Sequence, residues 1–72
     1  MGVDDVGAAT EIAVNQAKRA GAWGIFSLVS SAKKTPTGSW EVLIDNLGFR
    51  YRVEIEPVSG KIVGWERVIP HL

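Results

Sequence analysis

Cysteine is absent from this chain of 72 residues, and histidine occurs once. The first absence excludes a disulfide framework, thiolate catalysis and thiolate metal sites together, so stability must come from packing. The second leaves few routes to nucleophilic catalysis. Ser27, Ser30, Ser31, Ser39 and Ser59 carry hydroxyls, but a serine nucleophile needs an activating base, and the only imidazole, His71, follows Pro70 one residue from the end. A fraying terminus cannot hold a base or ligand rigidly, so His71 reads as solvated tail. Asp4 and Asp5 read as helix-start electrostatics rather than chelators, and no carboxylate or histidine spacing suggests a metal site. The expectation is a protein that is not an enzyme and has no catalytic, metal or cofactor-binding residues.

Net charge is missing too. Eight basic residues balance eight acidic ones, so no overall field draws nucleic acid or an anionic membrane, although a neutral total leaves room for a local patch. There is no apolar run long enough to cross a bilayer. The opening "MGVDDVGAATEIAVNQAKRAGAW" begins acidic and lacks the basic and apolar regions of a secretory signal, and Val6 stands where a myristoylation signal has a small hydroxyl residue. These features suggest a cytoplasmic protein with no membrane partner. Hydrophobic residues at 46% and charged ones at 22% argue against disorder. At this length folding removes only about 60% of the unfolded chain's surface from water, so one thin-cored domain spanning 1–72 is expected.

Small and apolar residues recur at three and four from Asp5 to Ala20. Val6, Ala9, Ala13, Ala17 and Ala20 form one helical stripe, flanked by Ile12 and Val14. Lys18 and Arg19 suit the last turn and Gly21 its C′ position, while Gly7 weakens the first turn and permits a start as late as Thr10. Alanine buries little area but lets a helix lie close to a sheet. The β-prone segments are Ile25 to Lys34, Ser39 to Asp45, Phe49 to Glu56 and Lys61 to Ile69. They are separated by the turn-rich stretches 35–38, 45–48 and 57–60, too short for parallel crossovers. The fold class is therefore α+β: one N-terminal helix packed on a four-stranded antiparallel meander, α-β-β-β-β.

A four-residue turn over Asp45 to Gly48 would pair Ile44 with Phe49, Val42 with Tyr51 and Trp40 with Val53, and would set Glu41 opposite Arg52. Trp40 then belongs to the core. The last hairpin admits two registers because Ile62 and Val63 are both apolar. If Ile55 pairs with Ile62, Trp65 and Arg67 lie on the open face, beside Arg50 and Arg52. If it pairs with Val63, Trp65 packs over Val53 and Arg67 is the odd residue inside, an arrangement favoured by indole burial. Trp23 follows the helix cap and either closes the end of the sheet or protrudes. Gly21 and Gly24 read as helix termination, since no strand precedes them as a phosphate loop requires.

The strand "YRVEI" followed by Glu56-Pro57-Val58-Ser59-Gly60-Lys61-Ile62 resembles the PepSY-type domain, whose extended strand leads into an acidic, glycine-containing turn. The likeness runs from about Thr10 to Val68. It implies a non-catalytic fold that inhibits proteases within propeptides or acts as a binding module. More weakly, "SWEV", "YRV" and the closing "WER" are similar to gas vesicle accessory protein O, without that family's Arg-Ile-Pro insertion. Residues and resemblance together suggest a protein- or peptide-binding module acting through its open sheet face or an edge strand, with an unknown protein, a peptide or its own copy as partner. The expected contact residues are Trp65 and Arg67, then Trp23. The alternatives are a single-stranded nucleic-acid-binding sheet using Arg50, Arg52 and Arg67, or a structural accessory of an assembly such as gas vesicles. Glu41, Glu54, Glu56 and Glu66 on the same strands argue against nucleic acid.

Overall fold

The computed structural model describes residues 5–68. Asp4, Ile69 and His71, each assigned a place from the sequence, lie outside the described residues. The helix α1 spans Val6–Arg19, followed by β1 (Leu28–Lys34), β2 (Trp40–Asn46), β3 (Phe49–Ile55) and β4 (Ile62–Val68). The strands form one antiparallel sheet in the order β1-β2-β3-β4. This is the expected α-β-β-β-β fold.

Both ends of α1 are set by local chemistry. The Asp5 side chain accepts the Ala8 N–H at 2.8 Å, satisfying one of the amides that a helix start leaves without a partner. At the other end Ala22 N–H donates to the Ala17 carbonyl at 2.8 Å and Gly21 N–H to Lys18 at 3.2 Å, with Gly21 at φ 73°. That closure requires the left-handed conformation and turns Ala22 back under the helix. Ala9, Ala13 and Ala17 are fully buried, whereas Val6 and Ala20, placed on the same stripe from the sequence, are exposed because they lie at the helix ends. The segment from Ile25 to Ser27 is not strand as expected. Ser27 N–H bonds back to the Gly24 carbonyl and Gly24 N–H to the Ser27 hydroxyl, a tight turn that delays β1 to Leu28.

The alanine stripe meets Val42 and Ile44 of β2 and Val53 and Ile55 of β3, all fully buried, with Trp40 buried beside them. Full burial of an aliphatic side chain stabilises by about 1.5–3 kcal/mol, so these few side chains carry most of the hydrophobic term. α1 packs on β1 and β2, reaches β3 less, and leaves β4 at the margin of its cover.

The β2–β3 register differs from the expected one by two residues. Trp40 pairs with Ile55, Val42 with Val53, Ile44 with Tyr51 and Asn46 with Phe49, leaving only Leu47 and Gly48 in the turn. The cause is Asn46. Its amide donates to the Ala22 carbonyl at 3.0 Å and its side-chain oxygen accepts the Leu47 N–H at 2.9 Å, so Asn46 extends β2 and ties it to the helix cap. A shift of two preserves the faces, and the inward set is as expected. It does place Glu41 opposite Glu54, and Arg52 relieves that repulsion from a diagonal position.

In the last hairpin neither expected register holds along its whole length. Ile55 pairs with Ile62, then the register shifts, and Glu54 pairs with Gly64, Val53 with Trp65 and Tyr51 with Arg67. Val63 is the extra residue of a β-bulge; it stays exposed while Ile62 packs against the core, and the shift turns Trp65 to the helix side. Gly64 fits the close approach, since a Cβ there would lie 3.1 Å from Glu54 Cβ. The connecting turn is held by Glu56, whose carboxylate accepts from the Val58 and Ser59 amides and the Ser59 hydroxyl. These bonds, led by the Ser59 hydroxyl, hold the Glu56 pKa below the usual carboxylate range. Gly60, at φ 75°, donates its N–H to the Glu56 carbonyl at 2.8 Å, so turn chemistry explains both the acidic residue and the glycine of this motif.

Gly48 adopts φ 75° in the two-residue turn with open space around its Cα. Gly48→Ala should therefore lower unfolding stability in urea by about 1 kcal/mol through backbone strain alone, and an unchanged midpoint would contradict this account of the turn.

Candidate functional site

Two faces of the sheet offer different chemistry. On the open face, away from α1, Arg50 Nε donates to Asp45 at 2.6 Å and Arg52 Nε to Glu41 at 2.6 Å, with Arg52 also 3.6 Å from Glu54. The Ser39 hydroxyl donates to Glu54 at 2.7 Å and meets the Thr35 hydroxyl at 2.9 Å. The Arg50 guanidinium holds the Asp45 carboxyl below its usual range against the opposing effect of burial, and Arg50 and Arg52 are raised by hydrogen bonds to Asp45 and Glu41. On this face Arg50 pairs with Asp45, and Arg52 with Glu41 and Glu54, while Lys33 and Glu66 are exposed beside them.

The helix side is different at β3 and β4, beyond the main cover of α1. Tyr51 and Trp65 stack there with ring centroids 5.0 Å apart and planes inclined by 27°. The Arg67 guanidinium lies 5.0 Å from the centroid of the exposed Phe49 ring. Tyr51 and Trp65 are half-buried, each in contact with the core on one side. The sequence of β3 places Phe49, Tyr51 and Val53 at alternate positions on one face, and the bulge at Val63 brings Trp65 and Arg67 of β4 onto it. The result is an aromatic shelf with one cation at its outer end, alongside the sheet-edge strand β4.

The structure thus brings together Trp65 and Arg67, as expected, but on the helix side. Arg50 and Arg52 lie on the opposite face, so the three arginines do not form one track. Trp23 is half-buried against the core near the helix cap and joins neither group. Trp40 is buried as expected, with the Lys34 ammonium 5.4 Å from its ring centroid. Sequence reasoning missed Phe49 and Tyr51 as shelf members in their own right. The alternation of "FRYRV" held that signal, but only the bulge on the neighbouring strand reveals that the rings extend past the helix. Among the described residues no group of three or more histidine, aspartate or glutamate side chains could hold a metal ion, and no helix is long and apolar enough to cross a membrane.

The depressed Asp45 carboxyl makes its ion pair pH-dependent. Its contribution is present above the ordinary carboxylate range and is lost as pH falls through the lower value of the folded state. Side chains this open to solvent keep the pair's contribution to stability small. NMR titration should find Asp45 below the usual range in the wild type and back within it in Arg50→Gln; a wild-type Asp45 that titrates normally would contradict the pairing.

Comparison of the chain with protein-family models, with curated proteins and with solved structures returns no match.

Proposed function

We propose that this protein is a non-enzymatic binding module, PepSY-like in pattern, that takes an extended protein or peptide segment along β4. The observation that carries the reading is the Tyr51–Trp65 stack with Arg67 over Phe49, on the sheet face that α1 leaves uncovered. Aromatic and arginine side chains dominate binding energy at protein interfaces because they bury much area at low entropic cost. A strand added at the β4 edge gains main-chain hydrogen bonds, and its alternate side chains rest on the shelf. An acidic group in that segment would meet Arg67. Trp65 and Arg67 are thus the principal contacts, in the same pairing read from the sequence but on the helix-side face.

The ion pairs of Arg50 and Arg52 weigh against the nucleic-acid alternative. Phosphate binding by these groups would compete with Asp45, Glu41 and Glu54. An assembly role of the gas-vesicle kind would use the same free edge for contact between copies, and is distinguished by size rather than by peptide affinity.

Selection of a displayed peptide library on the immobilised protein, followed by fluorescence polarisation, tests the proposal. Trp65→Ala, checked by melting for an intact fold, should weaken the selected peptides at least about tenfold, or about 1.4 kcal/mol. Arg67→Gln should weaken acidic peptides several-fold, while Arg50→Gln with Arg52→Gln should have little effect. Peptides indifferent to Trp65, or single-stranded oligonucleotides bound with an affinity that falls with salt and depends on Arg50 and Arg52, would overturn the reading.

A further inference from the structure

One end of the sheet carries apolar side chains that the core does not use. The hydrogen-bonded turn from Gly24 to Ser27 puts Ile25 and Phe26 at its corners, 92% and 61% exposed. Leu28, which pairs with Asp45, is 53% exposed, and Leu47, two residues further along the chain from Asp45, is 67% exposed. Leu28 and Leu47 are therefore at the same end of the sheet. The helix C-terminus is there as well, because Asn46 at the end of β2 donates to the Ala22 carbonyl just after the cap. A short turn displaying isoleucine and phenylalanine outward does nothing for this fold, since removing them would open no cavity.

The charges around this end are one-sided. Lys18 and Arg19 lie exposed in the last helical turn, and Arg67 lies exposed near the end of β4. Asp45 is the carboxylate of this end among the described residues and is committed to Arg50. Glu66 stands further along the sheet, opposite Arg52, and Asp5 and Glu11 belong to the other half of the helix. The helix-end carbonyls of Gln16, Ala17 and Lys18 accept backbone N–H groups, which blunts their negative contribution. The chain is neutral as a whole, yet it is polarised.

We propose that this end is a docking surface for an anionic lipid bilayer, with Ile25 and Phe26 entering the headgroup boundary and Lys18, Arg19 and Arg67 facing the acidic headgroups. Burial of a few apolar side chains gives weak attachment, and attraction to anionic lipid supplies the second contribution that stable binding needs. Trp23, half-buried next to the turn, is of the residue type enriched at that depth. The expectation of no membrane partner rested on the lack of a spanning segment, of a myristoylation signal and of net charge; none of these bears on a local apolar tip at the end of the fold that carries Lys18, Arg19 and Arg67.

The test is co-sedimentation of the full chain with vesicles of phosphatidylcholine alone and of phosphatidylcholine with phosphatidylserine. Binding is expected to the phosphatidylserine vesicles, to weaken as salt rises, and to fall at least about tenfold both in Ile25→Ser with Phe26→Ser and in Lys18→Glu with Arg19→Glu. All four positions are exposed, so thermal melts should show both double variants folded, with the charge reversal at the helix C-terminus lowering the midpoint slightly. Equal binding to the neutral vesicles, no binding to either, or retention by either double variant would overturn the proposal. So would concentration-dependent self-association, abolished by the Ile25 and Phe26 substitutions, in a chain that ignores lipid.

Discussion

The contact of Ala9, Ala13 and Ala17 with Val42, Ile44, Val53 and Ile55 is the constraint on which the rest depends. With so short a chain and no cross-links, the domain has one layer of aliphatic side chains to remove from water. It can do so only if the helix axis comes close to the sheet, which methyl side chains permit and larger ones would prevent. The Asp5 cap, the Gly21 closure and the Asn46 bond to Ala22 then serve one purpose, since each helps define where the helix ends over the sheet.

A narrow helix on a four-stranded sheet also leaves sheet uncovered. α1 sits over β1 and β2 with lesser contact to β3, so the helix-side residues of β3 and β4 must be large enough to shield themselves. Tyr51 and Trp65 do this by stacking on one another and on the edge of the core. The aromatic shelf is therefore a consequence of the core's geometry before it is a binding surface. The open face, which needs no cover, is instead kept soluble by arginine–carboxylate pairs. The proposed peptide shelf and the proposed lipid-facing end adjoin at Phe49 and Arg67, which would place a bound segment beside the bilayer.

Much of this was legible in the residues. The helix, the four strands and the inward set Trp40, Val42, Ile44, Val53 and Ile55 follow from periodicity, because a period-two pattern survives any register shift of two. The β2–β3 register itself did not follow, because the sequence does not reveal that the Asn46 side chain is held by a carbonyl 24 positions earlier and so stays in the strand. The bulge at Val63 was hidden for a related reason. Local alternation allows Ile62 or Val63 inward, and only packing across the sheet decides that both registers are used in turn. The apolar turn at Ile25 and Phe26 read as strand because both residues favour strands, and the Gly24 to Ser27 hydrogen bonds prevailed over that propensity.

The closeness of helix and sheet is tested most directly by chemical unfolding of Ala13→Leu beside Glu11→Leu. Both introduce the same strong helix former on the same helix, one beneath it and one on its solvent side. Ala13→Leu should lose about 2 kcal/mol of stability by forcing α1 off Val42 and Ile44, while Glu11→Leu should change it by no more than about 0.5 kcal/mol. An Ala13→Leu variant as stable as the wild type would contradict the account.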